Sequence, residues 1–124
     1  MRHITDSECA DILCTALEGG IGYWSYAGRI VRQDTDEKVD YVGWRYVCAD
    51  LFDNDTGEEF GTMNYETVRK GIRLMMGEKK VAYLSSYITE MVRDSFKGSD
   101  NFDIDADGAD CIIQLGLLGE IVYG

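Results

Sequence analysis

Residues 109–119 are apolar on nearly every side of a helical wheel, with Cys111, Ile112, Ile113, Leu115, Leu117 and Leu118 leaving no continuous polar face. A helix of this kind must be covered all round, by the rest of its own domain or by a second copy. Gly116, in its middle, lets another element approach the backbone closely. The chain has 124 residues, no proline, no internal repeat and no low-complexity tract, so residues 1–124 read as a single domain. A chain of this size has limited surface to wrap around a central helix. A homodimer is therefore expected, with Leu117, Leu118 and Ile121 nearest a two-fold interface.

The rest of the pattern predicts an α+β fold: an N-terminal helix, a three-stranded antiparallel meander, then three helices. Thr5-Asp-Ser-Glu8 has the form of a capping box, and Cys9, Ile12, Leu13, Ala16 and Leu17 follow at helical spacing until Gly19-Gly20 stops the run. Residues 23–31 and 41–52 are rich in aromatic and β-branched side chains, with a polar hairpin loop at 33–38 between them. In the second strand Val42, Trp44, Tyr46, Cys48 and Phe52 share one face, the expected core side, with Asp50 as the misfit. A turn at 53–57 leads to a third strand at 58–63. Asn64 can cap a helix with an inward stripe of Tyr65, Val68, Ile72 and Met75, leaving Arg69, Lys70 and Arg73 outside and Glu66 spaced to pair with Lys70. A helix at 81–96 carries Leu84, Tyr87, Ile88 and Met91, and Lys97-Gly98 ends it.

Charge is unevenly distributed. The chain carries a net charge of −11, and two stretches hold no basic residue. Residues 49–63 contain Asp50, Asp53, Asp55, Glu58 and Glu59; residues 98–124 contain Asp100, Asp103, Asp105, Asp107, Asp110 and Glu120. Residues 64–97 between them are locally basic. Such a field repels nucleic acid and acidic membrane and attracts cations or the basic, nucleic-acid-binding groove of a partner protein. Asp50, Asp53, Asp55, Glu58, Glu59, Asp103, Asp105, Asp107 and Asp110 are taken together as an acidic interaction surface. No run approaches the roughly 18 apolar residues that span a bilayer, and the N-terminus has no signal-peptide core, so a soluble cytoplasmic protein is expected.

Little points to catalysis. Cys9, Cys14, Cys48 and Cys111 form no C-x-x-C pair, and His3 is the only histidine, so neither a zinc site nor a Cys/His nucleophile is supported. The cysteines read as reduced, mostly buried small apolar residues. Asp103-Ile-Asp105-Ala-Asp107-Gly108 matches the first half of a calcium loop, but Gln114 stands where the bidentate glutamate belongs, and Asp110 occupies a usually apolar position. Capping of the last helix by Asp105 or Asp107 is the simpler reading. No metal and no cofactor is called for. The most unusual string is Glu18-Gly19-Gly20-Ile21-Gly22-Tyr23-Trp24. It is either a helix end with its aromatics packed inside, or a pocket in which Glu18, Gly19, Gly20, Tyr23 and Trp24 meet a ligand or partner. A phosphate loop would run from strand to helix, the reverse of the order here, which argues against an NTPase.

Taken with residues 105–114 and the ending Gly119-Glu-Ile-Val-Tyr-Gly124, that string resembles small uncharacterised proteins encoded by bacteriophages and prophages, which share E-G-G-x-x-Y-W, D-A-D-x-A-D-x-I-x-Q and G-E-x-V-Y-G segments. The resemblance implies a phage or prophage setting and brings no catalytic residues. The expectation is a non-enzymatic accessory protein in the host cytoplasm. It would bind a host or phage protein, as an acidic inhibitor of a defence or nucleic-acid enzyme, without binding nucleic acid or membrane itself. The alternative is a binder of a small nucleotide or planar ligand at the Gly-rich aromatic loop.

Overall fold

The computed structural model describes residues 2–35, 43–97 and 102–124. Residues 36–38 of the expected hairpin loop, Tyr41 and Val42 of the expected second strand, the Gly98 stop and Asp100 lie outside the described residues. Helix α1 (Asp6–Thr15) runs into a π-helical turn (Ala16–Gly20), then strands β1 (Ser25–Asp34), β2 (Trp44–Asp53) and β3 (Glu59–Asn64), then helices α2 (Tyr65–Met76), α3 (Ser86–Ser95) and α4 (Ala106–Leu118). The sheet is antiparallel in the order β1-β2-β3, giving the α+β arrangement predicted. Among the described residues no helix is long and apolar enough to cross a membrane.

Local chemistry accounts for the helix starts. Thr5 and Glu8 form a reciprocal capping box on α1, and the Asn64 side chain accepts from the Thr67 amide while Thr67 returns a bond to the Asn64 amide. Asp105 caps α4 by accepting from the Gly108 amide at 2.9 Å, so the helix begins three residues before the expected Ala109. Helix α3 starts later than the predicted 81, because the Ser85 side chain takes the Ile88 amide and Tyr83 sits in the left-handed region at φ 64°. That start rotates the stripe. Tyr87 is exposed, and Val92 is fully buried beside Ile88.

The core face of β2 also differs from the expectation. Val31 pairs with Cys48 and Arg32 with Tyr46, which leaves Val47 as an extra residue. This bulge switches the alternation, so Tyr46, Ala49 and Leu51 point inward while Cys48, Asp50 and Phe52 pass to the other face. The misfit of Asp50 disappears: on the outer face it accepts from Arg29 at 3.1 Å and Thr62 at 2.7 Å. Phe52 stacks there on Tyr26.

Arg69 does not lie on an open outer face. Its guanidinium reaches back to the Ile4 carbonyl, to Asp6 at 2.7 Å and to Glu66 at 2.9 Å, pinning the N-terminal segment to α2. Glu66 thus pairs with Arg69 instead of the expected Lys70. Lys70 and Arg73 are exposed.

Helix α4 is the centre of the fold, surrounded by α1, α2, α3, β3 and the π-helical turn. Its closest neighbour is α2, and glycines set that approach from both sides. A Cβ on Gly116 would fall 1.9 Å from the Thr67 carbonyl oxygen, and one on Gly71 would fall 2.1 Å from that of Ile112. Alanine at either position gains about 1 kcal/mol of helix propensity. Gly116→Ala and Gly71→Ala are nevertheless expected to lose on the order of 1–3 kcal/mol in urea unfolding, because the helices must separate. An unchanged or raised midpoint would show that this contact does not set the helix spacing.

Candidate functional site

The Gly-rich string is built around a close approach. At the end of the π-helical turn, a Cβ on Gly20 would stand 2.8 Å from the Ala106 carbonyl oxygen, so only glycine lets the turn lie against the start of α4. The Ile21 carbonyl then accepts from the Trp24 and Ser25 amides and from the Ser25 hydroxyl. This tight reversal delivers Tyr23 and Trp24 to the second turn of α4.

There they meet Asp110, which is 8% exposed. Its carboxylate accepts from the Tyr23 hydroxyl at 2.5 Å, the Trp24 indole N–H at 2.8 Å and the Gln114 amide nitrogen at 2.9 Å. Gln114, fully buried one turn later, also donates to the Tyr123 carbonyl at 3.0 Å and accepts from the Val122 and Tyr123 amides, each at 2.9 Å. Gly119, left-handed at φ 81°, turns the chain back along α4 so that this pairing can form. The Tyr123 ring stacks on Trp24 with centroids 5.0 Å apart, and Phe60 meets Trp24 edge-on at 5.3 Å. Residues from the Gly-rich string, from α4 and from the C-terminal segment therefore close on one buried polar cluster.

This cluster is a clamp. The three hydrogen bonds to Asp110 come from within the chain, and Trp24, 3% exposed and covered by Tyr123, offers no free face for a planar ligand. Asp110 itself is corrected from surface acid to buried acceptor. Burial pushes the Tyr23 hydroxyl well above the ordinary tyrosine range, and the bond to Asp110 and its negative charge add to the shift. Burial likewise pushes the Cys9 and Cys111 thiols up to about 11, the latter helped by Asp110, Asp107 and Asp105. Neither is a thiolate at neutral pH, so neither has the activation a cysteine nucleophile needs. No disulfide joins the four cysteines, and among the described residues no three His, Cys, Asp or Glu side chains are grouped to hold a metal ion.

Both acidic stretches border the Gly-rich string. The β2–β3 turn is held by Asp53, whose carboxylate accepts from the Asp55 amide at 2.7 Å, and Gly57 occupies the left-handed position. Asn54 docks this turn on the Gly-rich string through its side-chain bond to the Gly22 carbonyl at 2.9 Å and its amide bond to the Trp24 carbonyl. On the other side, the start of α4 carries exposed Asp103, Asp105 and Asp107 next to Gly20. Tyr23, 56% exposed, and Glu18, also exposed, belong to the loop between them. Glu58 and Glu59 continue the acidic turn into β3. Asp50 is separate, neutralised by Arg29 on the outer sheet face.

Sequence reasoning did not identify Gln114 or Tyr123 as partners of this site. The available signal was Gln114 itself, a lone amide in an otherwise apolar stretch of helix. Comparison of the chain with known protein families, with curated proteins and with solved structures gives no match.

Two outcomes follow from the clamp. Trp24→Phe keeps a ring against Tyr123 but removes one donor to a buried carboxylate, and is expected to lower stability by about 1.5–3 kcal/mol; a change within error in chemical denaturation would remove Asp110 from the centre of the structure. With the Tyr23 pKa raised in the folded state, the unfolded chain ionises first as pH rises. The stability it contributes is whole below about pH 10 and is lost as pH climbs toward the folded value. Tyr23→Phe should flatten the alkaline decline of the denaturation midpoint without abolishing it, since burial also raises Tyr65 and Tyr123.

Proposed function

We propose that the protein is a non-enzymatic accessory protein of a bacteriophage or prophage, working in the host cytoplasm by binding a basic surface of a host or phage protein. The observation that carries the reading is that two acidic stretches distant in sequence both touch the Gly-rich string that bears exposed Tyr23: Asn54 bonds it from the β2–β3 turn, and Gly20 lies against the start of α4. Exposed carboxylates with an exposed aromatic side chain suit a docking surface, with charge steering the encounter and the ring supplying contact area. Inhibition of a defence or nucleic-acid enzyme is the natural consequence, because such enzymes present basic grooves that an acidic surface can occupy. The phage setting rests on the sequence resemblance.

The nucleotide-binding alternative has less support, since its stacking residue is enclosed. A homodimer through Leu117, Leu118 and Ile121 likewise has less to draw on, because these side chains pack against the chain's own core and α4 is covered from within.

The test is affinity capture from bacterial lysate using wild type and a variant with Asp53, Asp55, Asp103 and Asp107 all changed to Asn. We expect a captured protein with a basic face, released as salt rises over the range in which a Debye length of about 10 Å shrinks to about 3 Å. The neutralised variant should fail to capture it while keeping its thermal midpoint. Capture indifferent to salt and to the four substitutions would refute the acidic surface as the binding element.

A further inference from the structure

Strand β1 is an edge of the sheet, ten residues long, and its side away from β2 has no strand partner among the described residues. Exposed edges are usually blunted, because a row of unpaired amides and carbonyls accepts another strand. Here Arg29, Arg32 and an irregularity at 28–29 interrupt the edge, yet Tyr26 remains 49% and Ile30 39% exposed along it. Helix α1 packs over β2 and leaves β1 overhanging. Between the overhang and the end of the first helical segment lies a cavity of about 180 Å³, whose walls include Leu17, Ile21, Ala27, Ile30 and Leu51, with Glu18 among them. The cavity is apolar, apart from backbone and a few side-chain oxygens. Glu18 is exposed and has no ion-pair partner among the described residues.

We propose that β1 takes an extended segment of a protein partner as a fourth strand, seating one apolar side chain in this cavity and a neighbouring lysine or arginine on Glu18. The proposal rests on the reading that the partner is a protein, but it uses a different surface from the acidic flanks of the loop. Strand addition is a standard way to bind a peptide: the backbone ladder supplies affinity, and pockets for alternate side chains supply selectivity. The three parts it needs are present side by side: a free edge, a cavity opening beside that edge, and an unpaired carboxylate at the cavity wall. The carboxylate selects a basic residue next to the one that enters the cavity. A second copy of this chain is a poorer occupant, since each copy carries −11 and the two repel.

The experiment screens the full chain against a bead-displayed library of short random peptides, then scans the best peptide by backbone N-methylation. The expected peptide pairs one large apolar residue with a nearby lysine or arginine. N-methylation should abolish its binding at every second position, because only alternate amides face β1. Glu18→Lys and Ile30→Arg, both at exposed positions, should each weaken it on the order of tenfold without moving the thermal midpoint. The Asp53/Asp55/Asp103/Asp107→Asn variant should bind it within about threefold of wild type, which keeps failure of the acidic surface distinct from failure of the strand site. The proposal is overturned if the library yields no such peptide, if N-methyl sensitivity lacks the two-residue period, if the two single variants bind normally, or if light scattering finds a dimer that Ile30→Arg dissociates.

Discussion

The structure depends on a carboxylate taken out of water. Asp110 is tolerable inside the fold only because donors replace its hydration, and these come from residues 86 and 87 positions away in the chain as well as from Gln114 one helical turn on. The consequence is geometric. Helix α4 cannot rotate about its axis without breaking bonds to Tyr23 and Trp24, and the Gly-rich turn cannot lift without stranding Asp110. The chain end cannot peel away without uncovering both the Gln114 amide and the face of Trp24. A buried polar cluster of this kind adds less net stability than apolar packing of equal volume, but it admits few alternative arrangements.

The cluster is built on the second and third turns of a helix whose other contacts are almost entirely steric. The reciprocal glycines, Gly71 against the Ile112 carbonyl and Gly116 against that of Thr67, bring α2 and α4 together with backbone against backbone. Hydrogen bonds near the N-terminal half of α4 set its rotation, and the glycine contact sets its distance from α2. Neither suffices alone: close packing without the polar bonds would leave neighbouring rotations close in energy, and the bonds without the glycines would hold a helix that could not be covered.

Much of this was legible in the sequence, for identifiable reasons. Caps and stripes are local, so Thr5, Asn64 and the Val68-Ile72-Met75 face could be read directly. The all-round apolar run showed that residues 109–119 needed cover, but not whether a second copy, as expected, or the chain's own elements would supply it; α1, α2, α3, β3 and the π-helical turn surround it. The misplacements came from non-local causes. The core side of β2 switches at Val47, because a bulge depends on register with β1 and leaves no mark in the strand's own alternation. The start of α3 was read from apolar spacing that continues through 81–84, whereas Ser85 and the left-handed Tyr83 decide it. Asp110 looked like one more acid in an acidic run. Only the approach of Tyr23 and Trp24 distinguishes it from Asp107, and a single sequence does not encode that approach in any local pattern.

Rigidity links the clamp to the surface above it. Affinity is what remains after the entropy of ordering the interface has been subtracted, and each rotamer-rich side chain immobilised on binding costs about 0.5–1.5 kcal/mol. Here the backbone carrying the acids is already fixed: Asn54 ties the β2–β3 turn to Gly22 and Trp24, Asp53 closes that turn on itself, and Asp105 holds the first turn of α4 beside Gly20. Tyr23 is fixed too, since its hydroxyl is bonded to Asp110 while its ring remains exposed. A partner docking here need not order that backbone, whereas a flexible acidic tail would lose chain entropy as it bound. The buried aspartate thus has its effect outside the core, by fixing through Tyr23 and Trp24 the loop against which the β2–β3 turn and the start of α4 are held.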